Sequence, residues 1–352
     1  MDKSGKKSPG REIGPATIRD VAREAGVSVA TVSRLLNGTA IVNPETSERI
    51  SEVMRRLEYV PLTSARNLAT RRYDTLGLVL DSISGDFFTP LLKGIEAEAS
   101  EAGYALFTVS TGRWQRGADS PPPVGPHNTD GLILLPGSVE EARLGRWRRA
   151  GFPIVLLYER PPAGLDIPCV TIENTRTAKE AVLHLAREHG RRRIVHLAGQ
   201  AGHHDAVERE AGYREALAEA GLAFDPALVL PGSYDKEVAE ASMAALLDSG
   251  AVAGADFDAV FAADDDSAIG ALYALKARGV DVPGSVSVMG FDDQRYAAFV
   301  EPPLSTVRAP TEEAGRAAAR ILLALVKGEG RPEDISLRTE VVYRGSCGCR
   351  GS

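Results

Sequence analysis

The segment between residues 28 and 37 carries side chains whose types suit contact with DNA bases. Arg34 can donate a bidentate pair of hydrogen bonds to guanine, and Val29 and Ala30 offer apolar surface to thymine methyl groups. Short hydrogen-bonding side chains accompany them and suit phosphate oxygens, which fix the register of a protein on DNA without reading its sequence. These side chains are Thr17, Ser28, Thr31, Ser33 and Asn37. The pattern predicts a surface that reads bases in the major groove.

Three helices are predicted to position these side chains. Thr17 can cap a first helix whose apolar residues recur at helical spacing, and Gly26 ends it. Ser28 can cap a second helix, and Asn43 followed by Pro44 begins a third that extends to about residue 58. Two short helices joined by a turn and braced by a third predict a helix-turn-helix. A three-helix domain of this size could equally be a protein-binding bundle.

The charge of the chain is divided unevenly. Residues 1–72 hold 13 Lys and Arg against 8 Asp and Glu, a surplus of +5 that leaves −12 for the remainder of a chain whose net charge is −7. A basic head on an acidic body is typical of a DNA-binding module joined to a domain of another kind. Small basic segments are common, so this asymmetry supports the DNA-binding hypothesis only weakly.

Length and composition exclude several classes of protein. A chain of 352 residues predicts two or three domains, and 43% hydrophobic with 25% charged residues is ordinary for a globular protein. No apolar run is long enough for a membrane span, and the charged start of the chain is unlike a secretory signal. The three cysteines make no disulfide framework, which fits a reducing cytosol and predicts a cytoplasmic protein.

Residues 75–346 alternate short apolar runs with helical patterns. The strands are predicted at TLGLVL, YALFTV, GLILLP, PIVLLY, CVTI, RIVHLAG, AVFAA and VSVMGF, with helices at 88–102, 176–188, 207–220, 237–247 and 267–278 among them. This βαβ alternation predicts doubly wound parallel sheets, and the number of elements predicts two lobes. Ligands of such folds bind at the carboxyl ends of the strands, in the cleft between lobes.

The amino-acid sequences of these segments resemble those of the lactose-repressor (LacI/GalR) family. The match runs through ATIRDVAREAGVSVATVSRLLNG and VNPETSERISEVMRRLEYVP, and continues in REAGYREALAEAGL, AVFAADDDSAIGAL, VPGSVSVMGFDD and PPLSTVRAP. The resemblance implies an all-α helix-turn-helix headpiece followed by an α/β body of two doubly wound parallel-sheet lobes, similar to periplasmic binding proteins. One departure is the proline-rich stretch within 110–129, where the family has a helix.

By this resemblance the segment 61–74 is a hinge helix that orders on DNA. Leu68 would be an apolar wedge that opens a central base step in the minor groove, with Ala65 beside it. A plain flexible linker would explain the same composition. The domain boundaries that we predict are a disordered tail at 1–14, the helix-turn-helix at 15–60, the hinge at 61–74, the two-lobed body at 75–346 and a tail at 347–352.

The resemblance also implies the residues that bind a small-molecule effector. Arg209 would hydrogen-bond effector hydroxyls or carboxylates, and Asp265 would accept paired hydroxyls, with Asp292 at the next strand end. The other lobe would contribute Asp81, Phe88 and Arg160. Each has a structural alternative: the aspartates could cap helices or turns, and the aromatic residue could belong to the core. The acidic cluster at 264–266 favours a cationic or strongly hydroxylated ligand.

No cofactor, metal or catalytic site is predicted. The chain lacks a Walker loop and the nucleophile, zinc and dinucleotide motifs of common enzymes. Cys347 and Cys349 have no matching pair in the sequence, so we expect a solvated tail rather than a tetrahedral metal site. An α/β enzyme with a DNA tether and a stand-alone sugar-binding protein remain as alternatives.

The expected function is that of a transcriptional repressor. A homodimer would bind a palindromic operator, and a sugar-like effector in the cleft would alter its affinity for DNA. Induction and co-repression are both open from the sequence.

Overall fold

A computed structural model describes residues 16–37, 40–59, 72–81, 86–112 and 123–349. The chain separates into two compact units, Met1–Tyr73 and Asp74–Ser352. Within the described residues, no helix combines the length and the apolar character that crossing a membrane requires.

The first unit contains three helices, α1 (Ile18–Ala25), α2 (Val29–Asn37) and α3 (Pro44–Arg56). The carboxylate of Asp20 accepts hydrogen bonds from the backbone and the hydroxyl of Thr17, which fixes the start of α1. Gly26 ends that helix in the left-handed region, with φ of 63°. The hydroxyl of Ser28 accepts from the backbone N–H of Thr31 and caps α2. These contacts confirm the predicted helix-turn-helix.

A small apolar core holds these three helices together. Val21 and Ala25 of α1, Val32 of α2, and Ile50 and Val53 of α3 are buried against one another. Because these positions lie on one face of each helix, the opposite faces remain available to solvent or DNA. The predicted hinge residues Ala65 and Leu68 lie outside the described residues.

The second unit is an α/β body whose first lobe is built on a six-stranded sheet. Its strands are β1 (Thr75–Leu80), β2 (Ala105–Ser110), β3 (Gly131–Leu134), β4 (Ile154–Leu157), β5 (Cys169–Ile172) and β11 (Ile335–Leu337), in the order β11-β5-β4-β3-β1-β2. Every neighbouring pair is parallel. The helices of this lobe are α4 (Phe88–Glu101), α5 (Glu141–Arg149) and α10 (Thr311–Lys327).

The second lobe is built on a four-stranded parallel sheet in the order β7-β6-β8-β9. Its strands are β6 (Ile194–Ala198), β7 (Val229–Pro231), β8 (Ala259–Ala262) and β9 (Ser287–Met289). Its helices are α6 (Asn174–Arg187), α7 (His204–Glu219), α8 (Lys236–Asp248) and α9 (Asp265–Ala277). An antiparallel pair, β10 (Thr306–Arg308) with β12 (Glu340–Val342), completes the body. The two doubly wound lobes confirm the predicted fold class.

Close packing of α4 against α10 depends on two glycines. A Cβ atom on Gly94 would lie 2.0 Å from the carbonyl oxygen of Glu312, and one on Gly315 would lie 2.4 Å from that of Leu91. Both distances are far below van der Waals contact, so the two helix backbones approach closely only because neither position has a side chain.

Several elements differ from the sequence-based expectation. All eight predicted strands are present, whereas β7, β10, β11 and β12 were not predicted. These strands are three residues long, too short for a period-two pattern to be read. The middle of the proline-rich stretch, residues 113–122, lies outside the described residues.

The prediction of a solvated tail from residue 347 is wrong as far as residue 349. Cys347 is fully buried at the end of a short 3-10 helix, Gly345–Cys347. Its carbonyl accepts a hydrogen bond of 2.8 Å from the hydroxyl of Ser287, the first residue of β9. No local sequence pattern indicates this contact, because 60 residues separate the two partners.

Candidate effector site and DNA-binding surface

The second helix of the headpiece presents the residues predicted to contact bases. Val29, Ala30 and Arg34 are exposed, and Val29 retains 42% of its surface although it is a large apolar residue. Val32 on the opposite face is fully buried. An exposed valine and an exposed arginine on this helix suit thymine methyl and guanine contacts.

The residues predicted to contact phosphates lie immediately before α1, immediately before α2 and along α2 itself. Thr17 and Ser28 are exposed, whereas Thr31 and Ser33 are half-buried. The hydroxyl groups of Ser28 and Thr31 lie 2.9 Å apart. Asn37 is the last residue of α2.

A cavity of about 260 Å³ lies between the two lobes of the body, at the carboxyl ends of their strands. The first lobe contributes Asp81 after β1, Leu135 and Pro136 after β3, and Tyr158 after β4. The second lobe contributes residues that follow β6, β7, β8 and β9. These are Gln200, His203, Asp205, Arg209, Ser233, Tyr234, Asp235, Asp264, Asp266, Asp292 and Gln294. The position is the one that parallel α/β folds use for ligands.

Arg209 is the centre of the second lobe's side of the cavity. Its guanidinium lies over the ring of Phe291, with 3.7 Å between the guanidinium carbon and the ring centroid. Its Nε donates to the side chain of Asn174 over 2.9 Å, and its Nη1 donates to the carbonyl of Ala263 over 2.5 Å. These contacts fix the orientation of a buried side chain, of which only 4% is exposed.

Carboxylates surround this arginine. Its Nη2 lies 3.5 Å from Asp292 and 3.6 Å from Asp205. Burial by itself would lower the pKa of Arg209, but the nearby carboxylates, Asp292 foremost, raise it. The guanidinium therefore stays charged inside the body.

The carboxyl groups of the cavity have raised pKa values. Burial raises the pKa of Asp205 to about 6, although Arg209 opposes the shift, and it raises the pKa of Asp264 to about 7. Burial also raises the pKa of Asp292. Among the described residues that line the cavity, six are aspartates and one is an arginine. Such a site does not favour an anionic ligand.

Four polar atoms on the cavity lining lack a hydrogen-bond partner within the described part of the chain. They are the hydroxyl groups of Tyr158 and Tyr234, Oδ1 of Asp292 and Oε1 of Gln294. A buried polar group without a partner costs about 1–3 kcal/mol. A ligand rich in hydroxyl groups could supply the missing partners.

Backbone strain is concentrated on the same surface. Tyr158, Ser233, Tyr234 and Asp292 line the cavity with φ of 62°, 56°, 58° and 107°. Non-glycine residues rarely adopt this left-handed region, and such outliers cluster at ligand sites.

Aromatic rings form the apolar part of the cavity. Phe87 and Phe88 lie edge to face with ring centroids 5.3 Å apart, and Phe87 is 5.6 Å from Tyr158. Tyr234 lines the opposite side. Aromatic faces with convergent polar groups are typical of small-molecule sites.

Four of the six predicted effector residues line this cavity: Asp81, Phe88, Arg209 and Asp292. Asp265 does not, and its predicted role needs correction. It is fully buried, and its two oxygens accept from the hydroxyl of Thr306 over 2.5 Å and from the backbone of Gln294 over 2.7 Å. The first turn of α9 directs its neighbours, Asp264 and Asp266, to the cavity instead.

The predicted effector-binding role of Arg160 also needs correction. Its side chain is 59% exposed and is not among the described residues that line the cavity. Its Nε lies 3.2 Å from Nε2 of His204, and its guanidinium lies 3.9 Å from Glu208. The start of α7, which carries both partners, holds this arginine away from the cavity.

Several cavity residues were missed by sequence reasoning. Tyr158 ends a predicted strand, PIVLLY, so its position at a carboxyl end was a usable signal. Tyr234 follows β7, which was too short to predict. Asp264 was part of the acidic cluster expected to favour a cationic or strongly hydroxylated ligand, but it was not named as an effector residue. Its side chain also caps α9, since it accepts from the backbone of Ser267 over 3.0 Å.

The fold and the cavity define a class of protein, one in which a DNA-reading headpiece precedes a two-lobed small-molecule receptor. Residues 17–62 match the family model for bacterial regulatory proteins of the lacI family, and residues 182–347 match that for a periplasmic binding protein-like domain.

Similarity extends over nearly the whole chain. This chain is 36% identical over 342 residues to the HTH-type transcriptional regulator CelR of Thermobifida fusca, with 94% of this chain and 98% of that protein covered. It is 34% identical over 330 residues to the HTH-type transcriptional regulator GalR of Escherichia coli (strain K12), with 94% of each covered. The solved CelR-cellobiose complex superimposes with a TM-score of 0.68 at 33% identity, over 94% of this chain and 99% of that one.

This chain belongs to the LacI family of bacterial regulatory proteins. It is a transcriptional regulator with a helix-turn-helix DNA-binding domain, and the regulators it is similar to are not enzymes.

Proposed function

We propose that the protein is a cytoplasmic repressor that binds a palindromic operator as a homodimer. Its affinity for the operator would decrease or increase when a sugar occupies the cavity. The observation that carries the sugar proposal is the cavity lining, where Arg209 and a ring of aspartates converge with unpartnered polar atoms between aromatic faces. Sugars present many hydroxyl groups on a ring with apolar faces, which complements this combination.

The residues proposed to contact the sugar come from both lobes. Asp81, Phe88, Tyr158 and Tyr234 would hold its ring, and Arg209, Asp264, Asp266 and Asp292 would hydrogen-bond its hydroxyl groups. The CelR complex contains cellobiose, so a glucose disaccharide is the first candidate for this chain.

The residues proposed to contact the operator come from the headpiece and the hinge. Arg34, Val29 and Ala30 would read bases, whereas Thr17, Ser28, Thr31, Ser33 and Asn37 would position the headpiece on phosphates. Ala65 and Leu68 would enter the minor groove from two hinges of one dimer. Two recognition helices related by a two-fold axis require a palindromic site.

Two measurements test this function together. Fragments of the source genome would be captured on the purified full-length protein, with and without cellobiose, and sequenced. We expect a palindrome whose two half-sites are about one helical turn apart. Recovery of random fragments under both conditions would contradict the operator proposal.

Calorimetric titration of cellobiose, glucose and an uncharged non-sugar polyol into the same protein tests the ligand class. Saturable binding of one sugar, and a change in operator affinity at saturation, are expected. Equal and negligible heats for all three, together with operator binding that no sugar alters, would contradict a cellobiose- or glucose-responsive site.

A further inference from the structure

Four side chains with metal-binding atoms converge at the C-terminal segment of the body. They are His184 at the end of α6, His189 just after it, and Cys347 and Cys349. One ligand atom from each lies within 4.8 Å of those from all the others. This cluster is separate from the effector cavity, which none of the four residues lines.

Four of the six distances between the ligand atoms are close to those of a tetrahedral zinc site, and all six are 4.8 Å or less. The Nε2 atoms of the two histidines are 3.0 Å apart. Sγ of Cys349 lies 3.3 Å from Nε2 of His184 and 3.4 Å from Nε2 of His189. Sγ of Cys347 lies 3.8 Å from Nε2 of His184. Zinc bonds of ~2.0–2.1 Å to nitrogen and ~2.3 Å to sulfur give edges of about 3.4 Å between nitrogens and about 3.6 Å between nitrogen and sulfur. Each of these four distances is within roughly 0.4 Å of the edge expected for its pair of atoms.

The backbone of the C-terminal segment explains how both cysteines reach one point. Gly348 adopts φ of 108°, a conformation that L side chains rarely adopt, and it reverses the chain between the two thiols. A Cβ atom at this position would also lie 3.1 Å from the His189 ring. This turn therefore favours glycine between the two cysteines.

The surroundings of the cluster fix its members in place. The Cys347 carbonyl accepts from Ser287 over 2.8 Å, and the ring of Tyr343 stacks on that of His184 with centroids 4.0 Å apart. Cys347 is fully buried, and the other three residues are half-buried.

We propose that His184, His189, Cys347 and Cys349 bind one Zn²⁺ ion in a structural Cys₂His₂ site. Two thiolates and two imidazole nitrogens are the donor set that Zn²⁺ prefers among common cellular cations. On binding, each thiol loses its proton to solvent, and a sulfur–zinc bond replaces the sulfur–hydrogen bond. Because the protein fills all four positions, no site remains for water or substrate, and the ion serves structure rather than catalysis.

The site would clip the C-terminal segment to α6 at the amino end of the second lobe's sheet. That segment also contributes Ser346, whose hydroxyl donates to the carbonyl of Val288 over 2.6 Å. Arg344 of the same segment holds Asp293 over 2.6 Å, next to the cavity residue Asp292. Zinc binding would therefore stabilise the C-terminal segment, which contacts the second lobe at Val288 and Asp293.

Metal analysis of the full-length protein tests the proposal without reference to operator or sugar binding. Protein purified with zinc present and dialysed against zinc-free buffer is expected to hold one zinc per chain by elemental mass spectrometry. Replacing zinc with Co²⁺ is expected to give the visible absorption bands of a tetrahedral ion and a thiolate-to-metal charge-transfer band. Removal of the ion by a chelator is expected to lower the melting temperature, and added Zn²⁺ is expected to restore it.

Variants with matched controls assign the ligands. Cys349→Ser and His189→Gln alter half-buried positions and are expected to weaken Zn²⁺ binding at least about 100-fold, since loss of an outer partner alone costs 10–100-fold. Cys169→Ala and His127→Gln change a cysteine and a histidine outside the cluster and are expected to retain one zinc per chain. Circular dichroism checks that each variant is folded.

Three outcomes would overturn the site. Wild-type protein that neither contains zinc nor takes up Zn²⁺ or Co²⁺ would do so. A Co²⁺ spectrum without the charge-transfer band would exclude the thiolates. A disulfide between Cys347 and Cys349 in protein isolated under reducing conditions would show that the thiols have another partner.

Discussion

The guanidinium of Arg209 lies against the face of Phe291, with 3.7 Å between the guanidinium carbon and the ring centroid. The ring covers one face of the cation, and hydrogen bonds to Asn174 and Ala263 hold its edge. A planar cation fixed in this way can present its remaining N–H groups to a ligand without reorganising. Arg209 is thus both part of the body and part of the effector cavity.

We expect Arg209→Lys to weaken sugar binding by roughly 10- to 100-fold, because a lysine cannot form the planar, stacked and multidentate arrangement. Operator binding of the sugar-free protein should persist. Calorimetry for the sugar and a gel-shift titration for the operator measure the two effects. Arg160→Lys is the matched control, since that arginine does not line the cavity. Equal losses in both variants would contradict the role given to Arg209.

Asp265 and Asp266 are adjacent but are expected to behave differently. Asp265→Ala removes the acceptor for Thr306 and Gln294 and should lower the free energy of unfolding by about 2–4 kcal/mol. Asp266→Asn keeps an acceptor for the hydroxyl of Tyr296 and should mainly weaken sugar binding. Urea unfolding and calorimetry separate the two losses. A stable Asp265→Ala protein that had lost only its sugar response would restore Asp265 as a ligand residue.

Stability is expected to depend on pH through Asp264. Burial raises its pKa from 3.8 to about 7, so between these pH values the folded protein binds a proton that the unfolded chain has released. Stability from this group is therefore fully present below about pH 4 and is lost as the pH rises to about 7. Asp264→Asn keeps the helix cap and removes the charge.

We expect Asp264→Asn to raise the free energy of unfolding at pH 8 by roughly 2–4 kcal/mol and to change it little at pH 4. Thermal melts at both pH values, in the absence of sugar, measure the difference. Asp235→Asn is the control, as it lines the same cavity and also caps a helix. A variant that is stabilised equally at pH 4 and pH 8 would show that the carboxyl is not the cause.

Arg34→Ala is expected to cost about 1–3 kcal/mol of operator binding and to relax the preference at one base pair. The reason is the loss of a bidentate contact from the exposed face of α2. Competition binding against operators mutated at each position measures both effects. Arg55→Ala, an exposed arginine on α3, should leave the base preference unchanged. An unaltered preference in Arg34→Ala would remove that residue from base recognition.

The headpiece and the order of strands and helices could be predicted because their signals are local. Thr17, Gly26 and Asn43 act on the backbone within a few residues of themselves, and the alternation of apolar runs with helical patterns fixes the α/β class. The same alternation showed where in the sequence each strand reaches its carboxyl end. The resemblance to the lactose-repressor family then placed Asp81, Arg209 and Asp292 near one cleft without coordinates.

Only the tertiary structure decided which neighbouring side chains reach the cavity. The first turn of α9 directs Asp264 and Asp266 to the lining and turns Asp265 towards Thr306, 41 residues away. The cysteines near the C-terminus meet His184 across 163 and 165 residues of sequence. Contacts between such distant residues depend on how lobes and helices pack, and packing leaves no periodic mark in the sequence. For this chain, the sequence determined the elements and the class of protein, and the packing of those elements determined the ligand atoms.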